Sequence, residues 1–333
     1  MLILVTGATG FLGAHVVKQL VAAGHQVRGL YRSLEKRDQN PVFDAQTIAS
    51  VDWFAGDLFD YSSLEKAAKG VDRVYHCAAL VGFQAGQRDA LYRTNVYGTA
   101  EVVNVCLHLQ IPRLVYVSSI AALGRDPQNP EVNEGSTWKD GPHNSAYSIS
   151  KFRAENEVWR GMQEGLEVIV VNPSIILGPG DWLEGSNKLF YTVFKGLKVY
   201  SPGSSGFVDV RDVVAALLHL DTNNHTGRRY LLNAANWSYK RLFTTIATHF
   251  GVNPPRWAPP RWLSEVGWRV LVVFSWFTGK KPFITRETTR SAYNSFTYDG
   301  SRISRETGFV YRDFEKTLAE SCSFMRQTFV IKG

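Results

Sequence analysis

The chain has 333 residues, 44% hydrophobic and 20% charged, which excludes wholesale disorder and suits one large or two unequal domains. Its 37 basic and 30 acidic residues leave a formal charge of +7 with no lysine- or arginine-rich run, so the stripe that nucleic acid needs is missing. Cys77, Cys106 and Cys322 are too few and too widely spaced for a disulfide scaffold, and the histidines lack ligand spacing, so no metal is expected.

The elements follow in chain order. Residues 2–6 are a short apolar run that suits a strand buried on both faces of a parallel sheet. A helix over 11–23 ends at Gly24, and strands at 27–31 and 51–55 come next. Then follow a helix at 61–69, a strand at 73–77, one long helix over 86–108, a strand at 114–118, a helix at 145–164 and a strand at 168–172. Strands alternating with helices predict an α/β fold with a Rossmann-type doubly wound parallel sheet.

From residue 174 the pattern changes. Pro and Gly punctuate the chain, and helices are expected near 184–196, 211–221, 238–250, 261–277 and 313–329. The expectation is a dinucleotide-binding domain over 1–173 and a smaller, mostly helical substrate lobe over 174–333. Short strands near Phe207 and Tyr230, within 206–232, are expected to return to the main sheet. The apolar stretch 263–277 carries Glu265 and Arg269 and is shorter than the ~20 residues a spanning helix wants. It reads as a buried helix, with a lid, a dimer contact or a membrane-surface patch as alternatives. No secretory signal is read at MLILVTGATG, so a cytoplasmic protein without a spanning segment is expected.

Gly7, Gly10 and Gly13 form a GxxGxxG turn between the first strand and the first helix. Glycines let the backbone approach a pyrophosphate, and the helix N-terminus offers free N–H groups to it. A site built for NAD usually carries an acid after the second strand. Here the chain has Arg32, with Lys36 and Arg37 following, which suits a 2′-phosphate. NADP(H) is therefore expected, with NAD(H) as second choice. Asp57 is a candidate for the adenine amino group or a turn aspartate, and Ala78 and Ala79 leave room for a flat cofactor.

Tyr147 and Lys151 form YxxxK on one face of a helix. A tyrosine with a reference pKa of ~10 is a poor base, and a nearby ammonium is expected to lower that value. Ser118 and Ser119 end the fifth strand, where a hydroxyl can hold a substrate oxygen toward the tyrosine.

With these pieces in hand, the chain resembles the extended short-chain dehydrogenase/reductases, within the NAD-dependent epimerase/dehydratase family. The matching segments are TGATGFLG (6–13), GDL (56–58), HCAA (76–79), NVYGT (95–99), YVSSIAALG (116–124), YSISK (147–151), NPSIILGPGD (172–181) and FVDVRDVV (207–214). VRGLYRS followed by basic residues looks most like the dihydroflavonol-4-reductase-like branch. The resemblance implies Ser119, Tyr147 and Lys151 as the catalytic set and Asn95 as support for a proton-relay water. It implies cofactor contacts from Thr9, Phe11, Leu12 and Leu58, and from the Pro173–Ser174 turn beside the nicotinamide. Three features depart from sugar-nucleotide enzymes of this superfamily. Ser204-Ser205-Gly206 replaces a diphosphate-binding arginine, the acid after the second strand is missing, and Ile120-Ala121 stands where dehydratases carry an acidic pair.

The leading expectation is an NADPH-dependent reductase of a ketone or aldehyde on an apolar or aromatic small molecule. Val81, Phe83, Ala122 and Trp182 are expected to line the substrate pocket with the aromatics near 257–277. A nucleotide-sugar epimerase or dehydratase, a 3β-hydroxysteroid-type dehydrogenase and a non-catalytic dinucleotide sensor are the alternatives. The helices near 86–108 and 145–164 suit a homodimer seam.

Overall fold

The computed structural model describes residues 1–82, 86–126, 128–141, 144–260, 263, 293 and 295–330. Seven parallel strands form the main sheet in the order β3-β2-β1-β4-β5-β7-β10. They are β1 (Leu2–Thr6), β2 (Gln26–Tyr31), β3 (Val51–Ala55), β4 (Arg73–His76), β5 (Arg113–Val117), β7 (Glu167–Pro173) and β10 (Arg228–Leu232). β6 (Glu131–Val132) lies outside this sheet and pairs with β12 (Thr297–Tyr298). The order reverses between β1 and β4, which opens a crevice at their carboxyl ends.

The central strands are apolar on both faces because both faces are covered. α1 (Phe11–Ala22) and α9 (Val210–Thr222) pack on one side, over Ile3, Val5, Val115 and Ile169. α4 (Tyr61–Ala68), α6 (Gly98–His108) and α7 (Ala146–Gln163) cover the other, over Leu4, Val74, Leu114 and Val168. Burying such aliphatic side chains contributes roughly 1.5–3 kcal/mol each, which makes this sheet the rigid base of the site.

The expected long helix over 86–108 is interrupted. Its α5 (Arg88–Leu91) passes into a π-helical turn, Tyr92–Tyr97, before α6 begins. Two short helices, α2 (Leu34–Asp38) and α3 (Ala45–Ala49), follow β2, each N-capped by a side chain, Ser33 and Asp44. The sequence reading passed over both.

The later part of the chain holds a second sheet of three strands, β11-β9-β8. It joins β8 (Ile175–Leu177), β9 (Ser204–Asp209) and β11 (Ala235–Ser238). This corrects one expectation. The Tyr230 strand does return to the main sheet beside β7, whereas the Phe207 strand pairs with β8 and β11 instead. Around this sheet, α8 (Lys188–Phe194), α10 (Tyr239–Phe250) and α12 (Phe314–Val330) bury an aromatic core of Phe190, Phe207, Trp237, Phe243, Phe250 and Phe314. α11 (Ser301–Thr307) packs against β10. The stretch 261–277 lies outside the described residues except for Leu263, as does Phe83. Among the described residues, no helix is long and apolar enough to cross a membrane.

Candidate active site

Local sterics require the glycines of the turn. Gly7 has φ +68°, and a Cβ there would stand 2.7 Å from the Ala78 backbone. A Cβ on Gly13 would run into the Gly7 carbonyl oxygen. Gly10 caps α1 in an extended conformation without a side-chain acceptor, so the first amides of the helix face the turn uncapped. Asn40 Nδ2 donates to the Thr9 carbonyl at 3.1 Å and anchors the loop. These amides and glycine surfaces fit a dinucleotide pyrophosphate. Leu12 is half-buried against one core and Leu58 is buried in the other. The Phe11 ring closes over Gly180, where a Cβ would come within 2.7 Å.

Basic side chains gather beyond β2. Arg32 is 72% exposed, and its guanidinium sits 3.7 Å from Asp57. The other Asp57 oxygen accepts from Phe59 N at 3.1 Å, as in a turn aspartate. Lys36 pairs with Glu184 at 2.8 Å. Arg37 lies against the rings of Tyr31 and Trp53, 5.7 Å from each centroid. Arg32 is thus the cation of this group with the longest ion pair. Ala78 and Ala79 continue from β4, with Ala78 against Gly7.

At the carboxyl end of β5 the two serines part. Ser118 is buried, and its hydroxyl donates to Glu155 Oε2 at 2.6 Å. Ser119 caps the short 3₁₀ turn Ile120–Ala122, accepting from Ala121 N at 3.1 Å, and its side chain hydrogen-bonds Tyr147. Tyr147 is buried among Leu91, Ala121, Leu80 and Ala146. Its pKa is raised, first by burial, with the Ser119 hydrogen bond and the Arg125 charge opposing. The expectation of a lowered value is therefore corrected, because desolvation outweighs the favourable charges.

Lys151 is 2% exposed. Its ammonium donates to the Val117 carbonyl at 3.0 Å and to Tyr116 Oη at 3.1 Å. Burial pulls its pKa down to about 8. Asn95 sits in the π-helical turn, and its side chain is fully used. It accepts from Leu80 N (2.8 Å) and donates to Leu80 O (3.0 Å) and Ser150 Oγ (2.9 Å). Pro173 ends β7, and the next residue, Ser174, carries a buried hydroxyl without a hydrogen-bond partner. An orphaned polar atom beside the strand ends suits a bound amide.

Two substrate assignments change. Trp182 is 7% exposed and stacks on Phe329, so among the described residues it packs within the aromatic core of the lobe. Ala122 is buried, and its neighbour Ala121 is the residue that packs against Tyr147. Val81 is 59% exposed and borders the segment outside the described residues. Arg125 lies in the 122–125 segment expected beside the substrate, whereas sequence reasoning gave no role to Tyr116, Asn172 or Glu155. Of these, Glu155 was detectable, since it lies four residues beyond Lys151 on the same helix face. Among the described residues, no cluster of His, Cys, Asp or Glu could hold a metal ion.

The family model for the NAD dependent epimerase/dehydratase family matches residues 3–233. The chain belongs to the NAD dependent epimerase/dehydratase family. It is 32% identical to sterol demethylase protein B of Methylococcus capsulatus, covering 98% of this chain and 99% of that protein. It is 30% identical to cinnamoyl-CoA reductase 1 of Petunia hybrida, covering 68% of this chain and 71% of that one. The crystal structure of gox2253 superposes with a TM-score of 0.79 at 27% identity, covering 98% of both chains. Within the epimerase/dehydratase family, the reductase relatives support an NAD(P)-dependent oxidoreductase at the family level.

Proposed function

We propose that the chain reduces a ketone or aldehyde carbonyl on an apolar or aromatic small molecule, with NADPH as the preferred reductant. The observation that carries this reading is Tyr147, hydrogen-bonded to Ser119 and enclosed by Leu80, Leu91, Ala121 and Ala146 at the carboxyl end of β5. A phenol whose pKa is raised by burial stays protonated at neutral pH, which suits a proton donor better than an acceptor. Apolar neighbours favour a substrate with few polar groups.

The residues divide the work. Ser119 would hold the carbonyl oxygen within reach of Tyr147, and Tyr147 would deliver a proton to it as the bond order falls. Lys151 would place its charge beneath the site and hold a ribose hydroxyl. Nicotinamide, when bound, supplies the hydride. The glycine turn, Asp57, Ala78, Ala79 and the Pro173–Ser174 turn would hold the dinucleotide, and Arg32 would face a 2′-phosphate. Residues 1–173 would serve as the cofactor domain and 174–333 would shape the substrate side, with β10 and α9 returning to the main sheet.

A second reading is oxidation of a sterol-type alcohol at the same site, with Tyr147 accepting the proton. The likeness to sterol demethylase protein B over nearly the whole chain favours it. Both readings are separated by following absorbance at 340 nm with NADPH plus aromatic aldehydes, flavanonols or steroid ketones, and with NADP plus sterol alcohols. NADPH consumption with a carbonyl compound at pH 7 is expected. Silence there, with conversion of UDP-sugars instead, would overturn the reductase reading.

A further inference from the structure

We propose that Glu155 is the positioning residue and counter-charge of this site, acting through Lys151 on one side and through Ser118 and Asn172 on the other. The inference rests on the reading of Ser119, Tyr147 and Lys151 as the working groups. Tyr147, Lys151 and Glu155 follow one another at four-residue intervals along α7, so they share one face of the helix. Glu155 is 2% exposed. A charge that deep needs partners, and it has four. Oε2 accepts from Ser118 Oγ at 2.6 Å and from Asn172 Nδ2 at 2.7 Å. Oε1 accepts from Trp159 Nε1 at 3.2 Å and lies 3.2 Å from the Arg229 guanidinium.

Asn172 carries the effect onward. The same Nδ2 donates to the Ser119 carbonyl at 3.0 Å. Glu155 is therefore one residue removed from the backbone of the serine that faces Tyr147. Its neighbour Ser118 is tied to it directly, so both residues that end β5 are held by one carboxylate.

The electrostatic role follows from what surrounds Lys151. The ammonium donates to a carbonyl and a phenol, and neither carries charge. On β4, His76 is held neutral, its pKa pushed by burial down to about 3. Cys77 beyond that strand is held as a thiol, pushed by burial up to about 12. Tyr116 on β5 and Tyr147 on α7 are both raised by burial and stay protonated. Burial lowers the lysine first, and Glu155 is the largest influence opposing it, with a lesser one from Cys77. Arg229, on β10, faces Glu155 from the other side.

The test is Glu155→Gln, which keeps the shape and removes the charge. The Lys151 ammonium is titrated in the cofactor-free protein by carbon NMR of the lysine ε-carbons, assigned with Lys151→Arg. NADPH affinity and kcat are then followed from pH 6 to 10. The Lys151 midpoint is expected to fall by about one pH unit in Glu155→Gln, from about 8, so that at pH 8 kcat drops about fivefold while the pH 6 value changes far less. Arg229→Gln is expected to move the midpoint the other way, and its partly exposed side chain makes folding of that variant safe. A midpoint unmoved in both variants would reduce Glu155 to a structural peg and overturn the proposal. A wild-type protein that turns over no carbonyl compound would sink the reductase reading, yet the NMR midpoints would still decide the role of Glu155.

Discussion

Replacing Lys151 with methionine removes a buried charge while keeping most of the side-chain volume. Burial lowers the Lys151 pKa from 10.5 to about 8, so between those values the unfolded chain holds more protons at this position than the fold does. Stability from this group therefore rises with pH across that window, and below pH 8 the fold carries nearly the whole cost of the buried ammonium. Between pH 7 and pH 10 the change amounts to about 2–3 kcal/mol at ~1.4 kcal/mol per unit. The hydrogen bonds to Val117 O and Tyr116 Oη are lost in the variant at both pH values, so they set an offset and leave the slope alone. Urea unfolding of both proteins at pH 7 and pH 10 reads the difference. Relative to Lys151→Met, the wild type should gain about 2–3 kcal/mol on going to pH 10. A gap that changes by less than about 0.5 kcal/mol would mean that the ammonium is solvated, and the reasoning from burial would fail.

Gly13→Ala places a methyl group against the Gly7 carbonyl, so the turn must open. NADPH affinity, read by quenching of protein fluorescence, should fall at least tenfold, and an unchanged affinity would remove the turn from the binding site. Arg32→Ala should weaken NADPH binding by about 1.5–3 kcal/mol and leave NADH binding nearly unchanged, as expected for loss of a charge-assisted contact to a 2′-phosphate. Equal losses for the two cofactors would contradict the assignment. Ser119→Ala should lower kcat by one to two orders of magnitude with little effect on NADPH binding, whereas Ser118→Ala should mainly cost stability because its hydroxyl is tied to Glu155.

Much of the fold was legible because the signals are local. The apolar run at 2–6 and the glycines at 7, 10 and 13 need no distant partner to be read. What escaped depends on contacts between remote segments. β9 reads as a strand, but nothing near Phe207 says that β8 and β11 will pair with it in preference to the main sheet. The π turn at Tyr92–Tyr97 hides inside a pattern that looks helical throughout. Trp182 looks like a pocket aromatic by position, and only the packing of Phe194, Phe250 and Phe329 around it shows that it is core. In the site, the spacing of Tyr147 and Lys151 was plain, whereas the direction of the Tyr147 pKa was not, because burial dominates it. Glu155 was passed over because a glutamate on a helix usually faces water.

The central claim is that Tyr147 delivers the proton in a carbonyl reduction. Its most direct test is NADPH oxidation at pH 7 by wild type and Tyr147→Phe, with NADPH affinity measured on both. The account predicts turnover of a carbonyl substrate in the wild type, a loss of at least 100-fold in Tyr147→Phe, on the order expected for general acid catalysis, and NADPH binding within about twofold. Turnover that persists in Tyr147→Phe at the wild-type rate would contradict it.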